Sequence, residues 1–308
     1  RQKEGRSDEP VLFVVSAPYS GYREILDAWI EKKKVKVLEP PSPEEILKDH
    51  KDWLSGINAT KALWVLPSLE HCFLRHAQGI SMIRQFLEKA CSGEFGQGII
   101  ACDGWGWAFL NYVWHTKHLP VVTLKAFDVE MLTAFLIESA KPGVRFRQSD
   151  DGSLLLPPDS SSGGKEKQNS SFLRNLASYT RGNLGGALAF WNASLRTEPE
   201  DPSVGEEGDS TIWVTPWEEI QKGELPNTMG DEEGFVLHAL LLHNGVSAEV
   251  LDQLLPVSRS RIAEICFLLA QAGIIKEVER GWRVTRYYYP RVKQFLKSKD
   301  YLTDPFKG

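Results

Sequence analysis

The chain has 308 residues, enough for about two domains of roughly 150 residues each, and it can bury a core without disulfide bonds. With 42% hydrophobic and 25% charged residues, its composition excludes global disorder, collagen and a disulfide scaffold. The net charge of -5 gives no general indication of nucleic-acid or membrane binding.

The first half of the chain alternates between short apolar runs and segments with helical periodicity. Strands of this kind, separated by helices, form parallel sheets that helices cover on both faces. The sequence therefore predicts an α/β domain over residues 1–150. The predicted strands are 11–16, 35–38, 62–66, 98–102 and 121–124, and the predicted helices are 22–33, one that starts at Pro43, 80–90 and 105–113.

The second half changes character twice. Residues 151–170 are rich in Ser, Gly and Pro and are predicted to be a flexible linker. Residues 171–198 are predicted to be helical, and 199–230 an acidic loop and connector. Residues 231–308 contain three short helical patterns and a hairpin that turns at Gly281, an order that resembles a winged helix-turn-helix domain.

The loop after the first strand has the spacing of a P-loop, G-x-x-x-x-G-K-S/T, in which backbone N–H groups and a lysine bind phosphates. Ser16 replaces the first glycine, Ser20 precedes the retained Gly21, Tyr22 replaces the lysine, and Arg23 replaces the hydroxyl residue that holds Mg²⁺. The strand–loop–helix context fits, but the residues that act on the phosphates are missing.

Three later positions extend the pattern. Glu70 is the carboxylate that follows the third strand, Asp103 ends the fourth, and Arg181 precedes a glycine-rich turn at 182–186. In this order the segments resemble the AAA+/STAND group of P-loop ATPases, with a nucleotide domain, a helical lid and a winged helix. The resemblance covers most of residues 11–290.

The resemblance and its departures together predict a degenerate, catalytically silent ATPase-like protein. We expect it to act in regulation or assembly through a protein partner, with a related active ATPase as one candidate, and to need no cofactor. The first alternative is an ATPase switch that binds ATP or ADP with Mg²⁺ and uses Glu70 and Arg181. The second is a DNA-binding regulator, in which Arg259, Arg261, Arg280 and Arg283 make the contacts. DNA is not favoured, because basic and acidic residues nearly balance over 231–297.

Several other groups have competing interpretations. Glu70, His71 and Arg75 are expected at a solvated helix start, with an acid–base site as the alternative. The Trp105 and Trp107 segment is expected to pack under a loop, with ligand stacking as the alternative. His115 and His118 lack a third ligand, so no metal site is assigned. No catalytic residue is assigned either.

The cysteines and the N-terminus bear on the compartment. Cys72, Cys91, Cys102 and Cys266 show no C-x-x-C spacing and are predicted to be reduced core residues of a cytoplasmic protein. The apolar runs are too short for a membrane span, and the charged start of the chain does not resemble a signal peptide. The chain begins without an initiator Met, as a piece of a longer chain would.

A final prediction concerns the loop itself. A tyrosine at the lysine position gains most by burying its ring, so Tyr22 is expected to occupy or border the space of the β- and γ-phosphates. Arg23 is expected to point outward or to pair with Glu24 or Glu70. ATP would then meet both a steric block and missing charge.

Overall fold

The computed structural model describes residues 9–48, 52–57, 62–114, 119–156, 170–198, 210–227 and 229–306. These residues form two compact units. The first combines the described chain up to Leu124 with the described chain from Leu225 onwards, and the second spans Lys125–Glu224. Residues 157–169 of the predicted linker and 199–209, the first part of the predicted acidic loop and connector, lie outside the described residues.

A five-stranded parallel sheet forms the centre of the first unit, so the predicted α/β class is confirmed. Its strands lie in the order β2-β3-β4-β1-β5. Each predicted strand is present, with bounds β1 (Val11–Ser16), β2 (Lys36–Val37), β3 (Trp64–Leu66), β4 (Gly98–Asp103) and β5 (Val121–Val122).

Helices cover both faces of this sheet because its side chains alternate between the faces. On one face, Val65 and Ala101 pack against α1 (Tyr22–Lys33). On the other, Phe13 and Ile100 pack in one cluster with residues of α4 (Ser81–Cys91) and α5 (Gly104–Val113). The near-continuous apolar strands follow from burial on both faces.

Short elements connect the first strands. The predicted helix at Pro43 is α2 (Pro43–Leu47), which begins with Ser42 and Glu45 in a reciprocal capping box. Next come α3 (Asp52–Ser55) and, after β3, two 3₁₀ turns at Leu69–His71 and Gln78–Ile80.

The C-terminal part of the first unit contains the predicted three helices and hairpin, followed by a further helix. The elements are α9 (Asp231–Leu242), α10 (Ala248–Leu254), α11 (Arg259–Gln271), β10 (Ile275–Val278), β11 (Gly281–Val284) and α12 (Tyr289–Ser298). The hairpin turns before Gly281, which has a φ of 114°. A Cβ there would lie 2.4 Å from the Ser247 nitrogen, so the position requires glycine.

One apolar core joins these C-terminal helices to the earlier chain. It contains Leu240, Ile265 and Val292 together with Leu74 and Trp105. Because of this shared core, the two units of the chain do not follow the predicted boundaries at 150 and 231. Two segments that bury their apolar surfaces in a common core form a single unit despite their separation in sequence.

The second unit contains α6–α8 and a four-stranded mixed sheet in the order β7-β6-β9-β8. Its elements are α6 (Val129–Ser139), β6 (Arg145–Gln148), β7 (Leu154–Leu156), α7 (Ser171–Thr180), α8 (Leu184–Ser194), β8 (Leu195–Arg196) and β9 (Thr211–Val214). The sequence did not predict this sheet. The predicted helical segment is divided because Arg181 and Gly182 take left-handed conformations. Asn183 then caps α8 by accepting a hydrogen bond from the Gly186 N–H at 2.9 Å.

Candidate functional site: the β1–α1 loop and the C-terminal hairpin

The loop between β1 and α1 lies at a recognised position for ligand sites in α/β sheets. β1 and β4 are neighbours, with Ser16 opposite Asp103 at their carboxyl ends. The connections that follow these two strands lead towards opposite edges of the sheet, to β2 and β5. Ligands bind to α/β sheets outside the carboxyl ends of strands, where the connections diverge in this way.

The loop has the strand–turn–helix geometry that its spacing predicts. Gly21 is the N-cap of α1 with a φ of 89°, and no side chain among the described residues caps the helix. Tyr19 also has a positive φ, 62°, which is uncommon for a residue with a side chain. The Ser20 hydroxyl donates to the Ser16 hydroxyl at 3.0 Å. The first N–H groups of α1 therefore have no side-chain acceptor within the described chain.

Tyr22, at the predicted lysine position, is buried. Its ring packs with Leu26, Val65 and Ala101 beneath α1. Its hydroxyl has no hydrogen-bond partner within the described chain. Burial raises the pKa of Tyr22 well above its ordinary value, and the charges of Glu70 and Asp103 act in the same direction. Position 22 therefore supplies a neutral aromatic group.

Arg23 contacts the segment that follows β3. Its guanidinium donates to the Pro67 carbonyl at 2.5 Å and to the Ser68 hydroxyl, and it lies 3.9 Å from a carboxylate oxygen of Glu70. The predicted pairing with an acid is thus observed for Glu70. Glu24 instead lies 3.3 Å from Arg286.

Glu70 is fully buried, so the prediction of a solvated helix start is wrong for this residue. Its carboxylate accepts hydrogen bonds from the Asp103 N–H at 3.0 Å and from the Asn244 amide at 3.4 Å. These contacts, together with Arg23, compensate a charge that would otherwise be costly to bury. Sequence spacing did not reveal them, because the partners are distant along the chain.

Asp103 caps the helix that follows β4. One carboxylate oxygen accepts from the Trp105 N–H at 3.0 Å, and the other has no hydrogen-bond partner within the described chain. Burial raises the pKa of Asp103 well above its ordinary value, with the nearby charge of Glu70 adding to the effect. Trp105 is buried in the shared core and its indole N–H donates to Tyr289, as expected for packing.

The C-terminal hairpin faces this loop. Tyr19 donates its hydroxyl to the Val284 carbonyl, and its ring lies under the Arg283 guanidinium at 4.7 Å. Burial raises the pKa of Tyr19 to about 12, so the hydroxyl remains a donor at neutral pH. Tyr19 was not singled out in the sequence, where an exposed loop tyrosine and a docking tyrosine look the same.

A pocket of about 240 Å³ separates the loop from the hairpin. It brings together Tyr22, Arg23 and Asp103 from the predicted nucleotide site with Arg280 and Arg283 from the predicted DNA-contact set. The sequence placed these two groups in different sites. Its other lining residues are Tyr19, Gly21, Glu24, His71, Asn244, Val278, Glu279 and Arg286.

The remaining predicted site residues do not line this pocket. Arg181 ends α7 in the second unit. Arg261 lies between Glu232, Glu233 and Glu264, at 2.7, 2.9 and 3.0 Å. Arg259 is exposed at the start of α11.

The four cysteines are free thiols; Cys72, Cys102 and Cys266 are buried and Cys91 is partly buried. Within the described ranges, no cluster of three or more His, Cys, Asp or Glu side chains has a metal-site arrangement. His115 and His118 lie outside the described residues. No helix in the described part of the chain is long and apolar enough to cross a bilayer.

Comparison with known proteins gives no further assignment: no family model matches the chain, and no curated protein matches its sequence significantly.

Proposed function

We propose that the protein is a catalytically silent relative of the AAA+/STAND ATPases that acts in regulation or assembly through contacts with other proteins. The observation that carries this proposal is the state of positions 22 and 23. Tyr22 packs in the core and Arg23 is engaged with Pro67, Ser68 and Glu70.

Phosphoryl transfer depends on charges placed around the β- and γ-phosphates and on a bound Mg²⁺. A buried neutral tyrosine offers no cation, and a guanidinium does not ligate Mg²⁺. Glu70, the nearest candidate for a metal-organising carboxylate, already accepts from Asp103 and Asn244 and lies near Arg23. Recruiting Glu70 for catalysis would break contacts that compensate its buried charge.

The order of elements supports the wider comparison with this group. A parallel sheet, a helical pair and a three-helix segment with a hairpin follow each other along the chain. We interpret α7 and α8 as the helical lid and α9–β11 as the winged helix. The partner is proposed to be a protein, with a related active ATPase as one candidate, in the cytoplasm.

The contacts of the arginines favour a protein partner over DNA. Arg261 lies among three carboxylates, whereas Arg280 and Arg283 line the pocket with Tyr19. Arg259, the fourth proposed DNA contact, is exposed at the start of α11, and its charge acts on the Glu249 carboxylate. The exposed face of α11 also carries Phe267 and Leu268, which are 64% and 49% exposed and suit an apolar contact.

Phosphate release from Mg²⁺-ATP tests the proposal. We expect no release above a buffer blank from the wild-type protein. The matched variants are Glu70→Gln and, as control, Glu88→Gln on the exposed side of α4. Turnover that Glu70→Gln abolishes and Glu88→Gln preserves would contradict the proposal and favour an ATPase.

A second experiment addresses nucleotide binding, because the arginines of the pocket keep a nucleotide switch as the alternative. A ligand at a hundredfold excess over its Kd stabilises a protein by about 2.7 kcal/mol. We expect millimolar Mg²⁺-ATP and Mg²⁺-ADP to leave the melting temperature unchanged. If Tyr22 blocks the site, Tyr22→Ala should increase any response; a large shift in the wild-type protein that Tyr22→Ala does not increase would favour the switch.

A further inference from the structure

The segment that follows α12 folds back onto earlier helices of the first unit. We call its residues 301–306 the strap. The Tyr301 N–H donates to the Leu296 carbonyl at 3.0 Å, and this is the last hydrogen bond between backbone groups of described residues along the chain. Residues 302–306 form no helix or strand. The strap is therefore held in place by a few side chains, as a bound peptide is.

Asp304 is the first anchor of the strap. Its side chain is fully buried and accepts hydrogen bonds from the Tyr289 hydroxyl at 2.6 Å and from the Lys293 ammonium group at 2.7 Å. Burial, together with the charge of Asp304, raises the pKa of Tyr289 well above its ordinary value, so this hydroxyl remains a donor at neutral pH. Tyr289 and Lys293 are four residues apart on α12 and lie on the same face. The helix therefore presents two donors to a single carboxylate.

Phe306 is the second anchor. Its N–H donates to the Asp304 carboxylate at 3.1 Å, and its carbonyl accepts from Lys293 at 3.2 Å. Its ring packs against the apolar core that contains Phe13. A Cβ at Gly104 would lie 2.7 Å from this ring, so the glycine at the start of α5 leaves the space that the ring uses. Gly104, Tyr289 and Lys293 thus form a cleft that takes both an acidic and an aromatic side chain.

The anchors of the strap select a segment more strongly than they stabilise the fold. A buried ion pair contributes little net stability, because desolvation of both charges offsets their attraction. A segment without the carboxylate, however, leaves the Lys293 charge, whose side chain is only 19% exposed, without a partner. Such an unpaired charge is costly, and this cost discriminates against the wrong segment. The cleft therefore has the properties of a recognition site.

We propose that this cleft binds a short acidic–aromatic segment of a partner protein, and that the strap occupies it when the partner is absent. The partner segment carries a carboxylate and, two positions later, an aromatic side chain, as Asp304 and Phe306 do in the strap. It binds by displacing the strap. The inference rests on the proposed function, since it requires a protein partner, and it names the class of segment that this partner presents.

A synthetic peptide of residues 301–306, amidated and labelled with a fluorophore, tests the inference by fluorescence anisotropy. The strap competes with this peptide at an effective concentration of about millimolar, because it is tethered to α12. The full chain with Asp304→Asn and Phe306→Ala has a weakened strap and an unchanged cleft. We expect this double variant to bind the peptide saturably, at least about tenfold more tightly than the wild-type protein does.

A further substitution in the double variant locates the bound peptide. Lys293→Gln should weaken peptide binding by about tenfold or more, since a hydrogen bond between charged groups is lost. Lys297→Gln, the same change at an exposed position one turn later on α12, should leave the affinity unchanged. A peptide that carries Asp304→Asn should lose affinity by a factor similar to that of Lys293→Gln, and this comparison needs no further change in the protein.

Equilibrium dialysis of the wild-type protein against millimolar peptide is a second measurement that depends on no variant, and we expect saturable uptake.

Three results would overturn the inference. They are the absence of saturable peptide binding to both proteins, equal affinities after Lys293→Gln and Lys297→Gln, and wild-type dimers that the double variant abolishes, which would assign the cleft to the strap of a second copy. None of these results bears on ATP hydrolysis. Hydrolysis, by contrast, would contradict the proposed function whatever the peptide titration shows.

Discussion

Two helices begin at the same edge of the parallel sheet, and their N-termini differ. α5 follows β4 and is capped by the Asp103 carboxylate, while the Asp103 N–H donates to Glu70. α1 follows the neighbouring β1 and begins at Gly21, without a side-chain cap from the described chain. The α5 end is stabilised by internal contacts, whereas Gly21 and Tyr22 at the α1 end line a pocket. Similar strand–loop–helix turns can therefore differ in whether a side chain caps the helix that follows.

The largest effect is expected at the N-terminus of α5, from Glu70→Ala. This change leaves Arg23 without its nearby acid and removes the acceptor of the Asp103 N–H. We expect a loss of about 1–3 kcal/mol in the free energy of unfolding, because the buried Asp103 N–H loses its acceptor. Denaturant unfolding measures it. Glu88→Ala, on an exposed position of α4, is the control and should change stability little; equal losses would show that Glu70 is not the special site argued here.

Acidification should also destabilise the fold around α5. The ring of His238 packs near Trp105, which lies in the first turn of this helix. Burial lowers the pKa of His238 to about 4 and of His243 to about 3, from 6.5. Below pH 6.5 the unfolded chain takes up protons that the folded chain excludes, so stability is full above pH 6.5 and falls as the pH is lowered. By about pH 5 the loss should reach roughly 2 kcal/mol for each histidine.

Urea unfolding as a function of pH measures this loss, with the double variant His238→Gln and His243→Gln as the reference. The difference between the two proteins isolates the histidines from carboxylates such as Asp103, whose raised pKa acts in the opposite direction. An identical pH dependence in both proteins would refute the assignment to the histidines.

A smaller effect is expected at Asp103, where two substitutions distinguish its role as a helix cap from the effect of its charge. Asp103→Ala removes the acceptor of the Trp105 N–H and should cost about 1–2 kcal/mol. Asp103→Asn keeps a cap oxygen and removes a carboxyl group next to Glu70, so we expect a loss below about 0.5 kcal/mol. Thermal or denaturant unfolding compares them. If Asn is as damaging as Ala, the capping role is incorrect.

The smallest effect is expected at the N-terminus of α1, from Tyr22→Phe. The hydroxyl has no partner within the described chain, so its removal breaks no internal hydrogen bond. Stability should stay within about 0.5 kcal/mol of wild type. A loss of more than 1–2 kcal/mol would reveal a hydrogen bond of Tyr22 that belongs to the fold itself.

The sequence predicted the sheet and its helices well, because apolar runs buried on both faces and helical periodicity are local signals. It also located Ser16 and Asp103 at the strand ends and Gly21 in the loop before α1. It did not predict the sheet of the second unit, where β8 has only two residues and β9 lies in a segment interpreted as a connector. Such short strands depend on pairing with distant partners, which leaves little pattern in their own residues.

The candidate site was predicted in its parts but not in its assembly. Tyr22 and Arg23 were identified as departures from a P-loop, and Arg280 and Arg283 as surface arginines for another contact. Their meeting in one pocket could not be predicted, since no local pattern indicates that a hairpin so distant in sequence packs against the first loop. Tyr19 and Asn244 were missed for the same reason.

The sequence by itself determined the α/β order of the elements and the absence of a lysine and a hydroxyl residue at the two phosphate-binding positions, because these depend on local periodicity and residue chemistry. The tertiary structure decided that Glu70 is buried with Arg23 and Asn244, and that the C-terminal helices share a core with the sheet. The physical reason is that burial and charge compensation depend on contacts between distant segments, and packing of the whole chain sets those contacts.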